Sequence, residues 1–326
     1  MKRFASATLA CAVIAFVPPA SAETYKMLSS WDRALKPAYT VAEMMQKQVE
    51  EVSGGKTRLE ILGPETVPPF QQLQPVASGV FDILYTHGAY HAGAKGIAMA
   101  GDAIDGDPAK RRSSGVWKFI DEYYQKSNGL KLVSMPVQSS HGYQCYLRAP
   151  LSPAGDWAGR KIRGVVSYHG VIRALGGVPV VIPVPEVYSA LEKGVVDGAC
   201  LTANGMLDIK HHEVAKVRIE PTFGVTTTVI AVNLAKWNKA PEADRTALLA
   251  AGEKLEIEAP KRIDAMLMEE RAELARLGIK VETLSPEKSA LIKKAWNDSQ
   301  WVLAKQCCGE AADELKAIAT KAGITN

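Results

Sequence analysis

The chain lacks an excess of either charge: 39 Lys and Arg stand against 35 Asp and Glu, a formal net charge of +4. Nucleic acid and anionic membrane surfaces are therefore excluded as main partners, because both call for a basic field. Beyond its N-terminus the sequence has no run approaching the roughly 18 to 20 apolar residues that a membrane helix requires, so no membrane insertion of its own is expected. Signatures of catalysis are missing as well. There is no G-x-S-x-G elbow, no G-x-x-x-x-G-K-[ST] phosphate loop and no G-x-G-x-x-G dinucleotide fingerprint. Neither an enzyme activity nor a cofactor is expected. His211-His212-Glu213 lacks the HExxH spacing of a zinc site and the P-C-x-x-C partner of zinc deaminases, so it reads as a solvated helix segment. His87 and His91, four apart, could share a helical face, but this is a weak signal, and no metal site is expected.

What is present begins with a leader. Lys2 and Arg3 precede an apolar stretch from Ala5 to Val17, and Ala20-Ser21-Ala22 offers small residues for cleavage before Glu23. This reads as a secretory signal peptide over residues 1–22, cleaved after Ala22, and predicts export to the periplasm. Removing it discards Cys11 and leaves 304 residues, enough for two domains on a prior of about 150 residues each. Four cysteines remain, Cys145, Cys200, Cys307 and Cys308, and sequence cannot choose among their three pairings. Cys145 with Cys200 is the favoured pair, because a bridge between adjacent Cys307 and Cys308 would close a strained ring. Four free thiols are the alternative.

Strand and helix periodicities alternate along the chain. Tyr25–Ser29 reads as a strand, and Ala42, Met45, Val49 and Val52 recur at helical spacing until Ser53-Gly54-Gly55 stops the helix. Thr57–Leu62 is a strand, Phe70–Ser78 a short helix and Phe81–Thr86 a third strand. The order restarts from Lys161 to Ala199. Alternation of this kind argues for two α/β units around mainly parallel sheets. Gly142–Leu147 could carry the chain across and Thr226–Val232 could carry it back, which implies a cleft with a hinge at its floor. A long helix is expected from Pro241, followed by a strand near Ile279 and two closing helices. The expected fold class is thus α/β, two-lobed, with lobe 1 over residues 23–146 and 233–272 and lobe 2 over 147–232 and 273–326.

Three stretches carry a family resemblance: Asp156-Trp157-Ala158-Gly159-Arg160-Lys161-Ile162-Arg163, Ala174-Leu175-Gly176-Gly177-Val178-Pro179, and Glu186-Val187-Tyr188-Ser189-Ala190-Leu191-Glu192-Lys193-Gly194-Val195-Val196-Asp197-Gly198. In this order they resemble the solute-binding subunits of tripartite ATP-independent periplasmic (TRAP) transporters, the DctP family. The resemblance extends over essentially the whole mature chain and implies a periplasmic binding protein fold, with a long helix bracing two lobes that close over a ligand. It further implies that an arginine clamps the ligand's carboxylate and that the partner is an ion-gradient-driven membrane permease. After Val196-Asp197-Gly198 many members continue with Gln-Glu, whereas Ala199-Cys200-Leu201-Thr202 follows here, which puts common sugar-acid and dicarboxylate specificities in doubt.

Arg163 matches the family's clamp position, and a planar guanidinium can hold a carboxylate through two parallel hydrogen bonds. Arg148 resembles a second arginine that reaches the ligand in some relatives, with a linker salt bridge as the alternative. By their position in the family pattern, the resemblance implies Trp31, Phe70, Tyr85, Thr86, His87, Tyr143, Tyr168, Asn204 and Asn233 as candidates for the rest of the cleft, and such pockets are mostly apolar with a few oriented polar groups. Trp31 and Phe70 could equally be core residues, and Asn233 could cap a helix. Glu186 and Tyr188 are assigned to structure before ligand, and Asp197 and Gly198 to a turn. The expected function is capture of a small organic carboxylate, favouring a monocarboxylate with an apolar or aromatic body, and delivery to a TRAP permease. A periplasmic carboxylate sensor and a secreted hydrolase are the rivals.

Overall fold

The computed structural model describes residues 23–325, so the signal-peptide expectation for residues 1–22 lies outside the described residues. Eleven strands form two sheets among those residues. The first contains β1 (Glu23–Ser29), β2 (Thr57–Leu62), β3 (Ile83–His87), β4 (Leu130–Ser134) and, returning late in the chain, β10 (Thr228–Asn233), in the order β2-β1-β3-β10-β4. The second contains β5 (Tyr143–Leu147), β6 (Lys161–Arg163), β7 (Val178–Val180), β8 (Gly198–Thr202), β9 (Val217–Glu220) and β11 (Lys280–Thr283), in the order β11-β9-β5-β8-β6-β7.

Local sequence explains the parallel βαβ units. In the helix Lys36–Ser53 the apolar residues Ala38, Val41, Ala42, Met45 and Val49 all lie on the buried face, packed with Tyr25, Met27 and Leu59 of the sheet. Each fully buried Val or Met among them contributes about 1.5–3 kcal/mol, and each Ala less. Gly54 ends the helix in the left-handed conformation (φ 59°), returning its N–H to Glu50 and Glu51 carbonyls, a geometry that costs a side-chain-bearing residue more.

Each sheet holds one strand antiparallel to both neighbours, and in each case a lobe crossing delivers it. β10 pairs antiparallel with β3 and β4, and β5 pairs antiparallel with β8 and β9. Hydrogen bonding therefore places Tyr143–Leu147 in the second sheet and Thr228–Asn233 in the first, where the expected division at 146/147 and 232/233 had split them the other way. The crossings themselves are the short segments 135–142 and 221–227. At the C-terminus the division also differs: Ile292 and Trp296 pack with the second sheet, but Trp301, Ala304, Ala312 and Leu315 pack with Leu28, Leu84 and Leu132 of the first.

The helix Glu242–Arg276 braces both lobes, as a series of its carboxylates shows. Glu256 accepts from the Met135 backbone N–H (2.7 Å) and the Trp117 indole (3.0 Å) in lobe 1. Asp264 accepts from Ser139 Oγ (2.7 Å) and the Ser140 backbone N–H (3.1 Å) in the first crossing. Glu270 accepts from the backbone N–H groups of Gly205 (2.7 Å) and Leu207 (2.8 Å) in lobe 2. Gly252 lets this helix lie against β4, because a Cβ there would meet the Val133 carbonyl oxygen at 2.2 Å. No helix of the described residues is long and apolar enough to cross a membrane.

Two disulfides are formed among the described residues. Cys145 and Cys200 face each other across β5 and β8 and are bonded, as favoured from sequence. Cys307 and Cys308 are bonded too, against the expectation that a vicinal ring would be avoided; both sit in the last turn of the helix Pro286–Cys308, where Gly309 ends it.

Candidate functional site

The cleft is lined where strands of the two sheets end. Arg163 is the last residue of β6, paired beside Ala199 of β8, and its side chain is only 2% exposed. Its Nε donates to the Ile182 carbonyl (2.8 Å) and its Nη1 to the Cys200 carbonyl (3.1 Å). These bonds fix the guanidinium plane and leave Nη2 without a protein partner among the described residues. No carboxylate of the described residues forms a salt bridge with it; its titratable neighbours include the neutral phenols of Tyr168 and Tyr90 and the His211 imidazole. Burial pulls the guanidinium below its usual value, opposed by those two phenols, and it stays cationic at any ordinary pH. A buried, uncompensated cation of this geometry is matched by an anion with two parallel acceptors, which a carboxylate supplies.

Two spaces meet at Arg163. The outer is a cavity of about 600 Å³ walled by Trp31, Phe70 and Tyr90 from lobe 1 and by Pro183, Val184 and Pro185 from lobe 2. Its aromatic wall is continuous: Phe70 and Tyr90 centroids lie 4.9 Å apart, Trp31 and Tyr90 5.7 Å, and Trp31 and Tyr85 5.0 Å. Phe70, 49% exposed, stands at the mouth. The inner space is a recess of about 50 Å³, bordered by His87, Gln138, Tyr143, Ser167, Tyr168 and Thr226. It is small and carries more hydroxyl, amide and imidazole groups for its size than the outer cavity, which is large and mainly apolar.

A buried carboxylate joins the lobes beneath the recess. Asp102 Oδ2 lies 2.9 Å from His87 Nε2 and accepts from Tyr143 Oη (2.7 Å), while its Oδ1 accepts from the Thr227 backbone N–H (2.8 Å). His87 Nδ1 accepts from the Ala89 N–H (3.1 Å), so Nε2 carries the proton shared with Asp102. The network ties β3 of lobe 1, β5 of lobe 2 and the returning crossing to one residue. Burial, reinforced by Asp102, pushes the Tyr143 phenol well above its ordinary pKa, and burial does the same for Tyr168, so both remain neutral donors.

Of the residues expected from sequence, Arg163, Trp31, Phe70, His87, Tyr143 and Tyr168 come together around these two spaces. Tyr85 and Thr86 lie one layer behind: Tyr85 donates to the Ala38 carbonyl (3.0 Å) and supports Trp31, and Thr86 accepts from Ser30 Oγ (2.6 Å). Asn204 is buried beside the cleft, but its carbonyl serves only Thr202 Oγ1 (3.0 Å), and it borders neither space. Two expectations are corrected. Arg148 is exposed at the far end of β5, with its guanidinium against Gly194, because β5 enters from the cleft at Tyr143 and leaves it by Leu147. Asn233 lies at the far end of β10, where it caps the helix Leu234–Lys239 through the Lys236 N–H (2.8 Å) and donates to the Val76 and Ala77 carbonyls.

Sequence reasoning missed Tyr90, Tyr188, Gln138 and His211. Tyr90 belongs to a 3₁₀ segment with no strong period, and Tyr188 was set aside as structural although it borders the outer cavity. His211, expected to be solvated, is 2% exposed and borders the same cavity. His91 turns away from His87 and bonds Tyr124 Oη (2.7 Å); the described residues hold no metal-ligating cluster.

Comparison with known proteins follows the same lines. The family model described as bacterial extracellular solute-binding protein, family 7 (DctP), matches residues 28–302. A monocarboxylate 2-oxoacid-binding periplasmic protein of Nostoc sp. is 25% identical over 279 residues, covering 81% of this chain and 74% of its own. The outer membrane transporter protein TsaT of Comamonas testosteroni is 24% identical over 283 residues, 82% of each. Among solved structures, a TRAP transporter solute binding protein from Bordetella bronchiseptica, with copurified calcium and picolinate, matches with TM-score 0.79 at 22% identity, over 93% of this chain and 92% of that one. An extracytoplasmic solute receptor of Bordetella pertussis binding pyroglutamic acid matches with TM-score 0.75 at 19% identity, over 92% of this chain and all of that one. Identities this low establish a shared two-lobed fold.

Proposed function

This chain belongs to the bacterial extracellular solute-binding proteins of family 7, and on that premise we propose that it is a periplasmic receptor for a small monocarboxylate with an apolar or aromatic body, which it delivers to the permease of a TRAP transporter. The observation that carries this reading is the Arg163 guanidinium, buried without an acidic partner among the described residues at the junction of a small recess and an aromatic cavity. The mainly apolar walls favour a ligand body without many hydroxyls, since a buried unpaired hydroxyl costs about 1–3 kcal/mol. The Nostoc 2-oxoacid-binding relative and the ring acids held by the Bordetella proteins point the same way.

Function follows from where the contacts sit. Arg163 belongs to lobe 2, while Trp31, Phe70, Tyr90 and His87 belong to lobe 1. A ligand touching both sets binds the closed arrangement better than the open one and shifts the equilibrium towards it by that difference in affinity. The closed form then docks on the permease and releases its cargo. Binding and release complete this cycle, and no bond of the cargo is broken.

A thermal-shift screen of the mature, ligand-stripped protein tests this. A cognate acid at 100 times its dissociation constant should add about 2.7 kcal/mol of stability, and its uncharged amide should add almost none. Equal shifts from acid and amide would overturn the clamp, and stabilisation only by dicarboxylic or polyhydroxylated acids would overturn the substrate class.

A further inference from the structure

Three histidines lie buried near the cleft, and two of them are satisfied by protein. His87 pairs with Asp102 and Ala89, and His91 with Tyr124. His211 differs: it is as buried as Arg163, borders the same outer cavity, and among the described residues its ring nitrogens hydrogen-bond to no protein group. Its ring nitrogens are not sealed off by protein, so they are free to hydrogen-bond water or a ligand in the cavity that His211 borders.

The backbone around it is held firmly. Glu270 of the long helix binds the Gly205 and Leu207 N–H groups, which anchors the loop that follows β8. The His211 N–H donates to the Met206 carbonyl (3.0 Å), and its carbonyl accepts from the Ala215 N–H (2.8 Å). Lys210 just before it takes the left-handed conformation (φ 56°), the bend that turns His211 inward. Burial first, then the positive charge of Arg163 and the neighbouring His212, hold the His211 pKa down to about 4. The ring is therefore neutral at physiological pH and offers one donor and one acceptor.

We propose that His211 is the specificity-determining contact of this cleft, hydrogen-bonding a neutral polar substituent beside the carboxylate that Arg163 holds, such as a 2-hydroxyl or a 2-oxo group. The inference rests on the carboxylate-receptor reading above and deepens it. A neutral imidazole satisfies a hydroxyl or carbonyl fully. A second carboxylate on the ligand would be desolvated against it without a countercharge, so the same residue selects against dicarboxylates.

The test is calorimetric titration of the mature chain with matched ligands: 3-phenylpropanoate, 2-hydroxy-3-phenylpropanoate, 2-oxo-3-phenylpropanoate and the dicarboxylate 2-phenylbutanedioate. Wild-type protein is expected to prefer the better of the 2-substituted acids over 3-phenylpropanoate by about tenfold, the usual worth of one buried hydrogen bond. His211→Ala should reduce that ratio to near one while keeping its affinity for 3-phenylpropanoate, and His211→Gln, which retains a donor and an acceptor, should restore part of it. A ratio unchanged in His211→Ala, an equal loss for all the monocarboxylates, or tighter wild-type binding of 2-phenylbutanedioate would overturn the assignment and leave the receptor reading standing. Absence of binding by every acid to the wild-type protein would overturn both.

Discussion

Arg163→Lys is expected to weaken binding of the cognate carboxylate by about 2–5 kcal/mol, roughly 30-fold to several thousand-fold, with the fold retained. The guanidinium uses Nε and Nη1 on the Ile182 and Cys200 carbonyls and so presents its remaining N–H groups in a fixed direction. A lysine has one nitrogen and no rigid fork. It can satisfy a buried carbonyl or reach the ligand, and in either case loses the parallel pair of bonds. Calorimetric titration with the acid selected by thermal shift reads the effect directly, and an affinity within threefold of wild type would remove Arg163 from the site.

Asp102→Ala should destabilise the protein by about 3–5 kcal/mol, the range for removing one partner from a buried polar network. Three groups lose this acceptor at once: the Thr227 N–H, the Tyr143 hydroxyl and His87 Nε2, of which the last two keep only their mutual contact at 3.2 Å. They come from three chain segments: β3, β5 and the returning crossing. For a chain of this size the expected fall in melting temperature is on the order of 10 °C. Chemical denaturation gives the free energy; a loss below about 1 kcal/mol would mean that the floor of the cleft is held by the Trp296 indole, which donates to the Asp102 carbonyl (3.0 Å), and by the surrounding packing.

How much of this was legible in the sequence depends on how local each cause is. The helix Lys36–Ser53 and the strand β2 follow from period and from Gly54, and both appear where the pattern put them. Arg163 was found because it sits inside a dense run of family residues. The crossings were harder, since the alternation over Gly142–Leu147 and the β-branched residues of Thr226–Val232 identify strands but say nothing about which sheet will pair with them. Arg148 shows the same limit: its separation from the cleft depends on the direction in which β5 runs. His211 stands beside two polar residues and reads as surface. Its burial is imposed by Glu270 acting on a loop that begins 65 residues earlier in the chain, and no local pattern encodes that contact.

The structure of the protein with its cognate acid would show whether Arg163 holds the carboxylate within the aromatic cleft. The carboxylate is expected about 3 Å from Arg163 Nη2, with the ligand body against Trp31 and Tyr90 in the cavity of about 600 Å³. A ligand bound with its carboxylate turned to solvent at Phe70, or seated in the charged groove between the helices Lys36–Ser53 and Glu242–Arg276, would contradict it.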